Sequence, residues 1–184
     1  AMRFWARAAP FLLPLATLAA AGAKPGVPRE MTLLVAATTD VHGHLVGWDY
    51  YASRADSARG LARAATIIDS LRSAAPERVV LIDAGDMLQG TPLTYVAARK
   101  EHFAINPVFA AMNAMHYDAA AVGNHEFNYG LPFLYSSAKG ARFPLLAANA
   151  YAANGPAPFP GIVIVARAGA KIALIGSTPP VSNA

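Results

Sequence analysis

Five side chains in three short clusters carry most of the chemistry this sequence offers. Asp40 and His42 stand two residues apart, Asp86 follows a glycine, and Asn124-His125 follows another. Carboxylate, imidazole and amide oxygen suit manganese, zinc, iron or magnesium. The chain has no cysteine, which removes disulfides, thiolate metal sites and cysteine nucleophiles. Asp86 is short and anionic, fit to bridge two cations. Asn124 is neutral, so a site built with it keeps positive charge for a phosphate. Two such cations can activate a water between them and clamp an in-line displacement at phosphorus. Singly, each cluster is weak, because Asp-x-His is usually solvated loop and Gly-Asp is a common turn signal.

Their placement is what gives them weight. Each cluster directly follows an apolar run of strand length: Thr32 to Thr38, Val79 to Ile82, and Ala119 to Val122. Between and after these runs, apolar spacing predicts helices over Leu61 to Arg72, Thr91 to Lys100, Pro107 to Met115 and Leu131 to Lys139. Pro144 to Ala148 reads as a further strand, and Ile162 to Val165 and Ile172 to Ile175 as a hairpin around Gly169. Alternating strands and helices predict an α/β fold with buried strands. In open sheets of this kind ligands bind beyond the carboxyl ends of the strands, so the three clusters are expected to converge.

Composition sets the outer limits. The chain has 184 residues, 55% hydrophobic and 14% charged, which excludes a disordered, solvated chain. Its net charge is +4, but Arg3 and Arg7 sit in the leader, and without them the balance is +2. No basic run exceeds Arg99-Lys100, so a nucleic-acid polymer is not an expected partner. Residues 2–23 have a positive start, an apolar run broken by Pro10 and Pro14, and a small-x-small end at Ala21-Gly22-Ala23. That pattern predicts a cleaved signal peptide, followed by a linker at 24–31 and a folded part at 32–184. The expectation is an exported protein of the periplasm or cell envelope, without a stable membrane anchor.

Asp40-Val41-His42, Gly85-Asp86 and Gly123-Asn124-His125-Glu126 resemble the first three motifs of the calcineurin-like metallophosphoesterases. More narrowly, TTDVHGHLVGWDYY, LIDAGDMLQGTPL, AVGNHEFNYG and FPLLAANA resemble the exported 5′-nucleotidase and 2′,3′-cyclic-nucleotide phosphodiesterase family. The resemblance implies a four-layer α/β/β/α sandwich, of which this chain would be the N-terminal portion, truncated at its C-terminus. It implies two divalent metal ions held by Asp40, His42, Asp86 as the bridge, and Asn124, with His125 as the catalytic histidine. The implied substrate is a small-molecule nucleotide. Later histidine ligands and a C-terminal nucleotide-binding domain would lie beyond Ala184, so the fragment alone is expected to be inactive.

Asn128 is a departure, because many 5′-nucleotidases of this family carry aspartate there. Together with Asp49-Tyr50-Tyr51 it resembles the branch acting on 2′,3′-cyclic nucleotides and 3′-nucleotides. A 5′-nucleotidase or nucleotide-sugar hydrolase, a sulfur-oxidation hydrolase and a non-catalytic metal- or nucleotide-binding fragment remain as alternatives. His44 is expected behind the ligands, and His102 and His116 at helix ends on the surface. Asp83 is expected to bond loop amides, and Glu126 to support backbone without chemistry. Trp48, Tyr50 and Tyr51 read as local packing, with base stacking as the other possibility.

Overall fold

The computed structural model describes residues 30–151 and 155–180; the expected signal peptide and most of the linker lie outside them. The elements run β1 (Leu34–Thr38), β2 (Trp48–Asp49), β3 (Arg54–Ala55), α1 (Leu61–Ala74), β4 (Val79–Asp83), α2 (Pro92–Arg99) and α3 (Pro107–Ala114). They continue with β5 (Ala119–Ala121), a single 3₁₀ turn (His125–Phe127), α4 (Leu131–Ala138), β6 (Leu145–Leu146), β7 (Ile162–Arg167) and β8 (Ala170–Ile175).

Four strands pair in the order β1-β4-β5-β6, all parallel, so their carboxyl ends lie along one edge. The α/β expectation therefore holds, and the register sets Thr38 beside Asp83 and Asp83 beside Ala120. β1, β5 and β6 are shorter than the apolar runs suggest, most of all β6, where only Leu145 and Leu146 stay in the ladder, while β4 runs one residue further, to Asp83. β7 and β8 form the expected antiparallel hairpin, turning at Ala168-Gly169 with both residues at positive φ. Arg167 anchors it, donating from Nε to the Val79 carbonyl and pairing with Asp118.

Local chemistry starts the helices where they are needed. Thr91 caps α2 in a capping box with Thr94, and Pro92 takes the first helical position, where its missing N–H costs nothing. Asn106 accepts from the Val108 amide ahead of α3, again with proline first. The core lies against β4: Leu81, Met87, Leu88, Val108, Phe109 and Met112 are all sealed from solvent. Among the described residues no helix is long and apolar enough to cross a membrane.

Phe109 fills the centre of this core and meets Phe143 edge-on at 5.7 Å between ring centroids. Truncating a buried phenylalanine typically costs about 3–5 kcal/mol through lost transfer energy and the cavity left behind. Phe109→Ala is expected to lower folding stability by about that amount, read as a shift in the urea midpoint at unchanged slope.

Candidate metal centre

The parallel register alone would only bring three loops near one another. Hydrogen bonds hold them together. Where β1 ends, the Asp40 N–H donates to the Gly85 carbonyl at 3.1 Å and the His42 N–H to the Asp86 carbonyl at 2.9 Å. From the loop after β5, the His125 N–H donates to Asp86 Oδ1 at 2.8 Å. Gly85 and Gly123 let the second and third loops touch backbone to backbone: a Cβ on Gly85 would fall 2.7 Å from the Gly123 nitrogen. Any other residue there would force the loops apart.

The convergence expected from the sequence is present. His42, Asp86 and His125 each offer a ligand atom, and these atoms lie within 4.8 Å of one another. The His42 and His125 rings stand edge to face, 5.0 Å between centroids. Asp40 joins from the first loop, its Oδ1 3.6 Å from His42 Nε2. Asn124 is half-buried and immediately precedes the 3₁₀ turn that carries His125. The five residues singled out in the sequence thus sit on one edge of the sheet, although His125, expected as the catalytic group, is as close to His42 and Asp86 as a ligand would be.

The details suit cation binding. His42 Nδ1 is 2.5 Å from the Gln89 carbonyl oxygen, which can only accept, so Nδ1 carries the proton and Nε2 is left bare toward Asp40. That is the arrangement metal-ligating imidazoles normally have. Asp40, His42 and Asp86 all adopt left-handed backbone conformations, φ 51, 47 and 63. Such geometry at non-glycine residues costs of order 1–3 kcal/mol each and gathers at functional sites. His125 Nδ1 lies 2.8 Å from the Asn128 amide nitrogen. With that N–H donating to Nδ1, the ring proton sits on Nε2.

The remaining residues fall around this centre. Glu126 is fully buried and accepts from backbone amides on both sides of the site. Asp83 is buried too, accepting from Thr38 Oγ1 at 2.5 Å and the Gly85 N–H at 2.8 Å, as a residue that bonds a loop amide should. Thr38 in turn meets the Tyr117 hydroxyl at 2.8 Å, a partner that no motif points to. Burial pushes the Asp83 carboxyl up to about 7, against the pull of those hydrogen bonds, and the Tyr117 hydroxyl up to about 12. His44 stands outside the ligand group. It lines a cleft of about 420 Å³ with Asp40, His42 and Arg59, and its buried Nδ1 has no hydrogen-bond partner. Burial, with Arg59 nearby, lowers the His44 pKa. His102 and His116 are exposed, beyond α2 and α3. Tyr51 is 96% exposed on the β2–β3 turn, so packing does not explain it, while Tyr50 tilts toward His44 with centroids 6.2 Å apart.

Residues 33–167 match the calcineurin-like phosphoesterase family. The chain belongs to this family. It is 41% identical over 137 residues to the 2′,3′-cyclic-nucleotide 2′-phosphodiesterase/3′-nucleotidase of Yersinia enterocolitica, covering 73% of this chain and 21% of that protein. To human 5′-nucleotidase it is 40% identical over 134 residues, covering 69% and 21%. The crystal structure of the calcineurin-like phosphoesterase YfkN from Bacillus subtilis superposes with a TM-score of 0.72 at 36% identity, covering 80% of this chain and 48% of that one. The chain thus spans about a fifth of the length of the two curated relatives named. Calcineurin-like phosphoesterases use divalent metals, and the bare His42 nitrogen, the carboxylates and the absence of any thiol fit such ions.

Asp83 gives this loop system a pH dependence of its own. Its folded-state pKa, about 7, lies above the ordinary value of 3.8, so the folded chain holds the proton more tightly than the unfolded one. The resulting stability is fully present below the ordinary value and is lost as pH rises through about 7. In EDTA, urea midpoints of the wild type and Asp83→Asn compared from acid to neutral pH should show a steeper decline in the wild type, because buried Glu126, whose pKa is also raised, is common to both.

Proposed function

We propose that the whole protein is an exported nucleotide phosphoesterase, dependent on two divalent cations, that hydrolyses 2′,3′-cyclic nucleotides and 3′-nucleotides. The observation that carries this reading is the meeting of His42, Asp86 and His125 at the ends of parallel strands in a chain of this family. Asp40, His42, Asp86 and Asn124 are the residues that would hold the cations, with Asp86 placed to serve both. When bound, the cations polarise the phosphoryl oxygens and offset the charge that builds during displacement. The chain's own contribution is orientation and proton handling. Asn128 takes His125 Nδ1, so Nε2–H faces substrate and hydrogen-bonds the transferred phosphoryl group. From the protonated ring, with the Asn128 amide oxygen turned to accept from Nδ1–H, it would give its proton to the leaving oxygen and return to neutral imidazole. General-acid help of that kind is worth about 10²–10⁴-fold.

Asn128 also supports the choice of substrate. An amide fixes the tautomer of His125 but cannot stabilise an imidazolium as a carboxylate would, which sets this site apart from the Asp-bearing 5′-nucleotidases. Similarity to the Yersinia enzyme supports the same branch. The second reading, a 5′-nucleotidase, has the similarity to human 5′-nucleotidase in its favour. Export rests on the leader at residues 2–23.

Two measurements on the protein expressed from its complete reading frame test these roles. kcat/KM on 2′,3′-cyclic AMP and 3′-AMP is expected to exceed that on 5′-AMP, and the opposite order would select the 5′-nucleotidase reading. Asp86→Ala is expected to lose metal and activity together. His125→Ala should keep most of its metal while kcat falls about 10²-fold or more, the low end of what a general acid contributes. A fully active His125→Ala protein would remove the histidine from the mechanism.

A further inference from the structure

The most heavily hydrogen-bonded side chain around the site is not among the proposed ligands. Glu126 is 0% exposed, and its two oxygens accept four backbone N–H groups. Oε1 takes those of Met87 at 2.6 Å and Leu88 at 3.0 Å. Oε2 takes that of Asp86 at 2.8 Å and that of Gly123 at 2.7 Å. Asp86 and Gly123 belong to different loops, so a single oxygen joins the second loop to the third. The link closes on itself, because Asp86 Oδ1 accepts from the His125 N–H, and His125 is the chain neighbour of Glu126. Among the described ion pairs Glu126 has no cationic partner, and the backbone dipoles alone meet its charge.

This ring leaves Asp86 little freedom. Its N–H is held by Glu126, its carbonyl by the His42 N–H and its carboxylate by the His125 N–H. Gly123 closes the remaining side: a Cβ there would fall 2.6 Å from the Asp86 nitrogen and 2.8 Å from Cγ. A left-handed aspartate persists only where its surroundings over-determine it, and here they do.

We propose that Glu126 is a positioning residue that sets the site's affinity for divalent cations, by fixing Asp86 and the Asn124–His125 segment against each other before any ion arrives. The proposal rests on the metal-dependent reading above and adds a residue that touches neither ion nor substrate. A glutamine at this position would aim an N–H₂ group at two backbone donors, turning two hydrogen bonds into two unsatisfied amides. An aspartate would keep the charge but fall one methylene short of serving both loops.

The test uses Mn²⁺ alone as the probe, titrated calorimetrically into the protein from the complete reading frame, wild type beside Glu126→Gln and Glu126→Asp. Melting in EDTA shows which variants fold. A folded Glu126→Gln is expected to bind Mn²⁺ about 10–100-fold more weakly, the usual range when a group supporting a metal ligand is removed. Its hydrolysis of bis(p-nitrophenyl) phosphate should need correspondingly more Mn²⁺ while KM at saturating metal stays unchanged. A general loss of structure would not produce that split. If Glu126→Gln does not fold, Glu126→Asp decides by the same readout. A folded variant that binds Mn²⁺ as tightly as wild type overturns the positioning role. A wild type that binds no Mn²⁺ overturns the metal reading and this proposal together. A wild type that binds Mn²⁺ without hydrolysing nucleotides overturns only the proposed substrate, and the variants' Mn²⁺ affinities still judge Glu126.

Discussion

A carboxylate shut away from water must find its hydrogen bonds within the protein, because an unmet charge in the interior would cost more than this fold can spare. Glu126 meets that demand with backbone N–H groups from two loops, and the spacing of those loops follows from it. The loop after β1 then attaches through the Asp40 and His42 amides, which donate to the carbonyls of Gly85 and Asp86. Burial raises the Glu126 pKa, and the four donors oppose that rise. The site is in this sense made of main chain. Its side chains point where three hydrogen-bonded loops aim them.

Such a construction stores strain, and the sheet supplies a base firm enough to hold it. Asp40, His42 and Asp86 all sit at positive φ, a conformation non-glycine residues avoid. Directly beneath, β4 is buried along most of its length, and Leu81, Met87 and Leu88 tie the start of the second loop into the core. Thr38, Asp83 and Tyr117 form a second buried polar cluster under the first loop. Packing and polar satisfaction thus work on the same few residues from below and from the side.

How much of this was legible depends on whether a feature leaves a trace in residue type. Apolar runs marked β1 and β4, and Gly169 marked the β7–β8 turn, because burial and turn geometry select side chains. The ligand clusters were legible because metal chemistry also selects side chains. The short β2–β3 pair was not, since two residues per strand hold no periodicity. The reach of Glu126 was invisible for a different reason: its partners are amides that every residue but proline carries. The left-handed turns at Asp40, His42 and Asp86 were hidden because no glycine announces them. Tyr117 gave no sign because its partner Thr38 lies 79 residues away.

The parallel pairing of β1, β4 and β5 also bears on when the site can form. Parallel neighbours cannot be joined by a tight turn, and the bonds that unite the loops span about 40 residues each. Nothing local in the chain resembles the finished centre, so a nascent or unfolded polypeptide has no preformed chelate to offer. Cations therefore enter the folding equilibrium at its end, drawing it toward the native state by mass action and leaving the search for that state unaided. A topology of distant contacts must bear the entropy of closing long loops before those contacts form. A protein built this way acquires its reactivity only after its architecture is complete, and until then it is chemically silent.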